Sequence, residues 1–139
     1  MKREIKFRGK REDNGEWVYG YYVRDYKNSF IVVIGEKALY NLHIPHQVIP
    51  ESVGQYIERK DIDGKEIYGG DILSAFERVP EAGVFEVVWE NASWRYHWHV
   101  QGKVEKEIIT ENPKYLKVIG NIYENKELLK WQIYGKQCH

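Results

Sequence analysis

The chain has 139 residues, 42% hydrophobic and 30% charged, which is enough for one globular domain or two small subdomains and excludes wholesale disorder. Twenty-one basic and 21 acidic side chains cancel, a poor footprint for a nonspecific nucleic-acid binder. No apolar run approaches a membrane span, the charged start MKREIKFRGKRED is no secretory signal, and the single cysteine, Cys138, excludes an intramolecular disulfide and a zinc site built on several thiolates. These features predict a cytosolic protein.

Taken in chain order, period-two patterning dominates. Ile5 and Phe7 alternate with Lys6 and Arg8, predicting a short strand that turns at Asn14-Gly15 into a return strand through Trp17, Tyr19 and Tyr21. The run Phe30–Ile34 reads as a strand buried on both faces, or as one lying under another layer, and Leu39–Ile44 as another strand closed by Pro45. Pro45, Pro50 and Gly54 make residues 45–54 the expected boundary between an N-terminal β subdomain (1–54) and a C-terminal one (55–139), unless the chain is one continuous domain.

Beyond that stretch, Gln55-Tyr56-Ile57 is strand-like, Asp63-Gly64 marks a second turn, and Gly69-Gly70-Asp71 a tight corner into Ile72-Leu73. Residues 84–89, VFEVVW, predict a strand. From Ser93 to Gln101 the alternation is clearest: Trp94, Tyr96 and Trp98 are expected to be buried together, with Arg95, His97, His99 and Gln101 on the opposite face. Gln101-Gly102-Lys103 can turn that strand back, and Tyr115–Ile119 is the last strand. One helix is expected, Asn125 to Gln132, with Asn125 as its cap, followed by a frayed tail at 135–139. Many short strands with regular turns predict a mostly β protein, an antiparallel barrel or sandwich with one short C-terminal helix.

Chemistry-bearing patterns are sparse. His43 and His46 frame a proline that opposes a shared helical face, so a metal there is not expected. His97 and His99 share a strand face, a spacing that suits a metal, but Arg95 in the same row would repel a cation. With Gln101 the row is best read as a plain solvent-facing side of the strand; the alternative is a polar groove that contacts phosphate, or bases with help from exposed aromatics. Cys138-His139 lies in the frayed tail, where neither group is held for catalysis, and no catalytic or phosphate-binding motif is present. Asp61 and Asp71 flank the Asp63-Gly64 turn as a formal acid pair, but Asp63 in the turn and Asp71 at a strand start are better explained by side-chain bonds to backbone. No metal or cofactor is expected and no catalytic residue is assigned, so enzyme activity lacks positive support, and an enzyme with a dispersed site is the third reading behind a binding protein and a nucleic-acid module.

Three segments carry a resemblance: REIKFR at 3–8, PESVGQYIERKDIDGKEIYGGDI at 50–72 and VIGNIYENKELL at 118–129. Together they resemble the YopX family of bacteriophage and prophage proteins. The most specific marks are Asp61, Gly64, Lys65, Tyr68, Gly70 and Asp71, which belong to one turn and corner. The chain departs from the family pattern where Thr-Gly-Leu is expected and Ile57-Glu58-Arg59 stands, and where a Glu is expected and Gly69 stands. The resemblance implies a mostly β protein working in the cytoplasm of a bacterial host cell, with no reaction to carry over. By analogy of pattern, GDI followed by apolar residues suggests an SH3-like barrel over 66–123.

Twenty aromatic side chains are hard to hide in a core this size, so a homo-oligomer is expected. Residues 1–60 carry 11 basic and 8 acidic side chains and the remainder 10 and 13, so the halves could meet head to tail. The expected function is that of a noncatalytic accessory protein acting by self-assembly or by binding a host or phage protein. The alternative is a nucleic-acid-binding small barrel using Arg95, His97, His99 and the basic N-terminal strand.

Overall fold

A computed structural model describes residues 3–34, 43–75, 83–100 and 103–129. The chain is mostly β, in antiparallel sheets, and divides into two compact units, Met1–Tyr56 and Ile57–His139.

The first unit holds β1 (Phe7–Lys10), β2 (Trp17–Arg24), β3 (Ser29–Ile34), β4 (His43–Val48), a 3-10 turn at Pro50–Ser52 and the start of β5 (Gly54–Lys60). Its strand order is β4-β3-β2-β1, and β1 also pairs with β5 through Phe7 and Gln55. β2 changes partner midway. Its first half pairs with β1, from Lys10 opposite Trp17 to Phe7 opposite Gly20, and its second half with β3, from Tyr21 opposite Val32 to Arg24 opposite Ser29. The pivot needs glycine, because a Cβ on Gly20 would lie 2.1 Å from the Val32 carbonyl oxygen. Between β1 and β2 only Gly15 takes a positive φ, of 72°, and the Asn14 side chain accepts from the Glu16 N–H at 2.9 Å. Ile31 and Val48 are fully buried and Phe7 packs on Tyr22 with ring centroids 5.6 Å apart.

Two expectations are corrected here. β3 is not buried on both faces: Ile31 and Ser29 are buried, whereas Phe30, Val32 and Val33 are only half-buried. The following strand does not stop at Pro45 but runs through it to Val48, with Pro45 opposite Val32. β4 ends the strand order, and an edge strand tolerates a residue that cannot donate a ladder bond. The earlier part of that expected strand, residues 39–42, lies outside the described residues.

The second unit holds the end of β5, then β6 (Glu66–Tyr68), β7 (Asp71–Ser74), β8 (Val84–Glu90), β9 (Ser93–Val100), β10 (Lys103–Ile108) and β11 (Lys117–Asn121). The last five form an antiparallel sheet of order β10-β9-β8-β7-β11. Neighbours Ile72 and Leu73 point to opposite faces of β7, and both are fully buried. On one face Leu73, Val87 and Tyr96 pack with Ile57 and Ile67. On the other, Ile72 and Val84 pack with Leu129 and the partly buried Ile119, Ile122 and Leu128.

The expected helix is described at residues 127–129, which deliver Leu128 and Leu129 to that second cluster; residues 130–132 and the tail with Cys138 and His139 lie outside the described residues. Asn125 does not cap it with its side chain. The Asn125 Oδ1 accepts from the Asn121 N–H at 3.1 Å instead, lying over Gly120, where a Cβ would come within 2.5 Å of it.

Candidate functional site

The residues that carry the family resemblance are built into the second unit's frame. Asp61 is buried, and its Oδ1 accepts from the N–H groups of Asp63 and Lys65, both at 2.9 Å, while Oδ2 accepts from the Val118 N–H at 3.0 Å. One carboxylate thus closes the 61–65 turn and ties it to β11. Gly64 takes φ 81°, as the turn requires. Asp71 is also buried and accepts from the Tyr68 N–H at 2.7 Å across the Gly69-Gly70 corner. The Gly70 N–H and carbonyl bond Val87 and Ile122, both at 2.8 Å, and the buried Tyr68 donates its hydroxyl to Glu66. The turn carboxylate that bonds backbone is therefore Asp61, not the expected Asp63. The Asp63 side chain is half exposed and faces Lys117 Nζ at 3.2 Å. Side-chain carboxyls held by backbone N–H groups at fixed distances serve folding rather than a substrate.

The expected polar face lies on β9, and the structure brings three of its four residues together: Arg95, His97 and His99 share one side of the sheet, and Gln101 lies outside the described residues. The face is charge-matched. His99 Nε2 stands 3.2 Å from Glu86, His97 Nε2 stands 3.6 Å from Glu90, and Lys106 on β10 reaches Glu90 at 3.1 Å. Arg95 Nε donates to the Glu90 carbonyl at 3.1 Å. The Lys106 ammonium beside Glu90 holds that carboxyl below its usual range, with His97 and Arg95 adding to the effect. Both histidine side chains are mostly covered, at 12% and 14% exposure, so the row is not the open polar surface that alternation alone suggests. Among the described residues no three His, Cys, Asp or Glu side chains converge as metal ligands would.

On the opposite side of the same strands lies a cleft of about 440 Å³ between the sheet and the 109–116 segment. Phe85 of β8 and Trp98 of β9 stand opposite in register and stack, with centroids 5.6 Å apart and planes within 10°. Tyr96 meets Phe85 edge-on at 5.8 Å. Gly83 lets the Trp98 indole settle against the backbone, since a Cβ there would lie 2.7 Å from its Nε1. The expectation that Trp94, Tyr96 and Trp98 are buried together is corrected: Tyr96 is buried, Trp94 partly so, and Trp98 is 37% exposed. Ile57 and Ile67 cover the Tyr96 end of the row, and Trp98 lies beyond their reach as one wall of the cleft.

The cleft's polar groups are few. Tyr96 is 9% exposed, and among the described residues its buried hydroxyl has no hydrogen-bond partner. Burial, reinforced by the Glu107 carboxylate, pushes this phenol up to about 12. Glu107 and Glu105 of β10 stand directly opposite Tyr96 and Trp98, and Glu111 lies on the 109–116 segment. Sequence reasoning placed the rings on one face but missed the cleft, because its far wall comes from a loop whose position only the tertiary fold sets.

Comparison with known proteins gives a family match, the model described as YopX protein, over residues 6–130. No curated protein matches the chain.

Proposed function

The chain belongs to the YopX family, and from that premise we propose that it is a noncatalytic phage or prophage accessory protein, working in the bacterial cytoplasm by assembling with itself. The observation that carries this reading is a strip on β2. Tyr19, Tyr21 and Val23 are alternate residues of one strand face, exposed at 47%, 50% and 49%. Beside them, half-buried Val32 stands opposite Tyr21 and half-buried Phe30 opposite Val23. A continuous apolar strip of this kind marks an interface more often than it marks a monomer's free surface, and tyrosine is a frequent anchor there. A two-fold contact, strip against strip, buries the same residues on both copies.

Charge supports the apolar strip over a head-to-tail contact. Lys6 faces Glu4 at 3.1 Å and lies over the Tyr56 ring, the Arg8 guanidinium lies 5.0 Å from the centre of the Trp17 ring, and Arg11 binds Asp13. Much of the basic N-terminal excess is thus engaged within its own unit. Sedimentation equilibrium at micromolar concentration tests the proposal. The expected result is a species near twice the 16.6 kDa chain mass, reduced to the monomer mass by Tyr21→Lys. Wild-type protein sedimenting as a single 16.6 kDa species contradicts it.

A further inference from the structure

We propose that the cleft of the second unit is a binding site for an arginine- or lysine-bearing peptide segment of a partner protein. This site is separate from the β2 strip and does not depend on self-assembly. Its volume, about 440 Å³, is within the range of small-ligand sites and holds one long side chain with a little backbone.

Three observations converge on a cationic occupant. First, the walls are aromatic: Trp98 is stacked on Phe85 and partly open to solvent, and Tyr115 of the facing segment is 76% exposed. A guanidinium or ammonium placed over such rings is attracted by their negative faces, and a long aliphatic stem packs on the rest. Second, the rim is acidic. Glu107 and Glu111 line the cleft against Lys114, its one cation among the described lining residues, and Glu105 lines the adjoining hollow with Lys106, whose ammonium is drawn to Glu90. Arg59, near Tyr96, already donates to the carbonyls of Glu58 and Thr110. A phosphate backbone would meet these carboxylates with repulsion, which favours a peptide over a nucleic acid.

Third, Tyr96 lines the cleft, and its buried hydroxyl has no hydrogen-bond partner among the described residues; an unmade hydrogen bond in that position is costly. It remains a phenol at neutral pH and is a donor in need of an acceptor. A peptide carbonyl supplies that acceptor while the cationic side chain beside it reaches Glu105 or Glu107. An aliphatic ligand would satisfy neither group, and an anionic one would be repelled at the rim.

The test uses the full-length protein and the acetylated, amidated pentapeptide Ala-Arg-Ala-Arg-Ala, with its Gln-for-Arg counterpart and a twelve-residue oligothymidylate as comparisons. The Trp98 indole N–H resonance is followed by NMR. The arginine peptide is expected to shift it saturably, at least tenfold more tightly than the glutamine peptide, and less tightly as salt rises. The double variant Glu105→Gln/Glu107→Gln sits on an exposed edge strand and leaves the remaining amide spectrum unchanged. It is expected to weaken the arginine peptide about tenfold. The variant Glu86→Gln, on the opposite face beside His99, leaves that affinity as it is. Equal affinity for the two peptides, an unchanged affinity in the double variant, no saturable shift at Trp98, or saturation by the oligothymidylate and not by the arginine peptide would each overturn the proposal.

Discussion

The corner at residues 61–72 and the cleft lined by Phe85, Tyr96 and Trp98 belong to the same unit and are built in opposite ways. At the corner, Asp61 takes three backbone N–H groups and Asp71 takes another, and Ile67, Tyr68, Ile72 and Leu73 are buried around them. In the cleft the buried Tyr96 hydroxyl has no partner among the described residues and a tryptophan is left 37% exposed. The family resemblance is strongest at the corner. The difference teaches that a specific sequence motif can report on how a fold is closed, while the surface free to bind lies where the motif says nothing.

Substitutions sharpen that contrast. The largest expected effect is Leu73→Ala, which opens a cavity in a fully buried site and should cost about 3 kcal/mol of unfolding free energy by urea denaturation. Asp61→Ala follows, at about 2 kcal/mol, because it leaves three N–H groups that the carboxylate had satisfied. In the opposite direction, Ala92→Gly should stabilise by about 1 kcal/mol, since Asn91 and Ala92 both hold positive φ, 51° and 59°, in the β8–β9 turn. Glu58→Gly should act likewise but more weakly, relieving φ 64° while losing the Glu58 side chain. Trp98→Ala should cost the fold the least of the destabilising changes, about 1 kcal/mol or less, because the ring is partly solvated already. It should nonetheless abolish the cleft's response to the arginine peptide.

The cleft also has a pH signature. Tyr96 ionises near 12 in the folded protein against 10.0 for an ordinary tyrosine, so the native state holds its proton longer than the unfolded chain. The stability this contributes is fully present below pH 10 and is lost as pH rises toward 12. An ultraviolet titration should show a tyrosine, Tyr96, ionising well above the ordinary value of 10.0.

Local pattern made much of this legible. Alternation placed β9 and divided its rings from its histidines, and Asn14-Gly15 marked the first hairpin. The second hairpin was silent because Asn91-Ala92 lacks the glycine that normally signals two positive φ angles. β10 was not foreseen as a strand, since its apolar Val104 and Ile108 are separated by charges and remain half exposed. Glu58 shows the reverse: it stands where the family pattern expects glycine, and its backbone keeps the left-handed conformation that glycine suits. The cleft and the histidine–glutamate pairs were hidden for a common reason. Each depends on which residue stands across from which on a neighbouring strand or loop, and register is a property of the fold.

Native-state hydrogen exchange tests the contrast between corner and cleft most directly. The amides of Asp63, Lys65 and Val118, all donors to Asp61, should exchange only through global unfolding in the wild-type protein and in Trp98→Ala. In Asp61→Asn they should lose protection before the amides at the centre of β8 and β9 do. If those three amides exchange as fast in the wild type as the exposed residues 110–112, or if Trp98→Ala unprotects them while Asp61→Asn does not, the division of this unit into a closed frame and an open binding face is wrong.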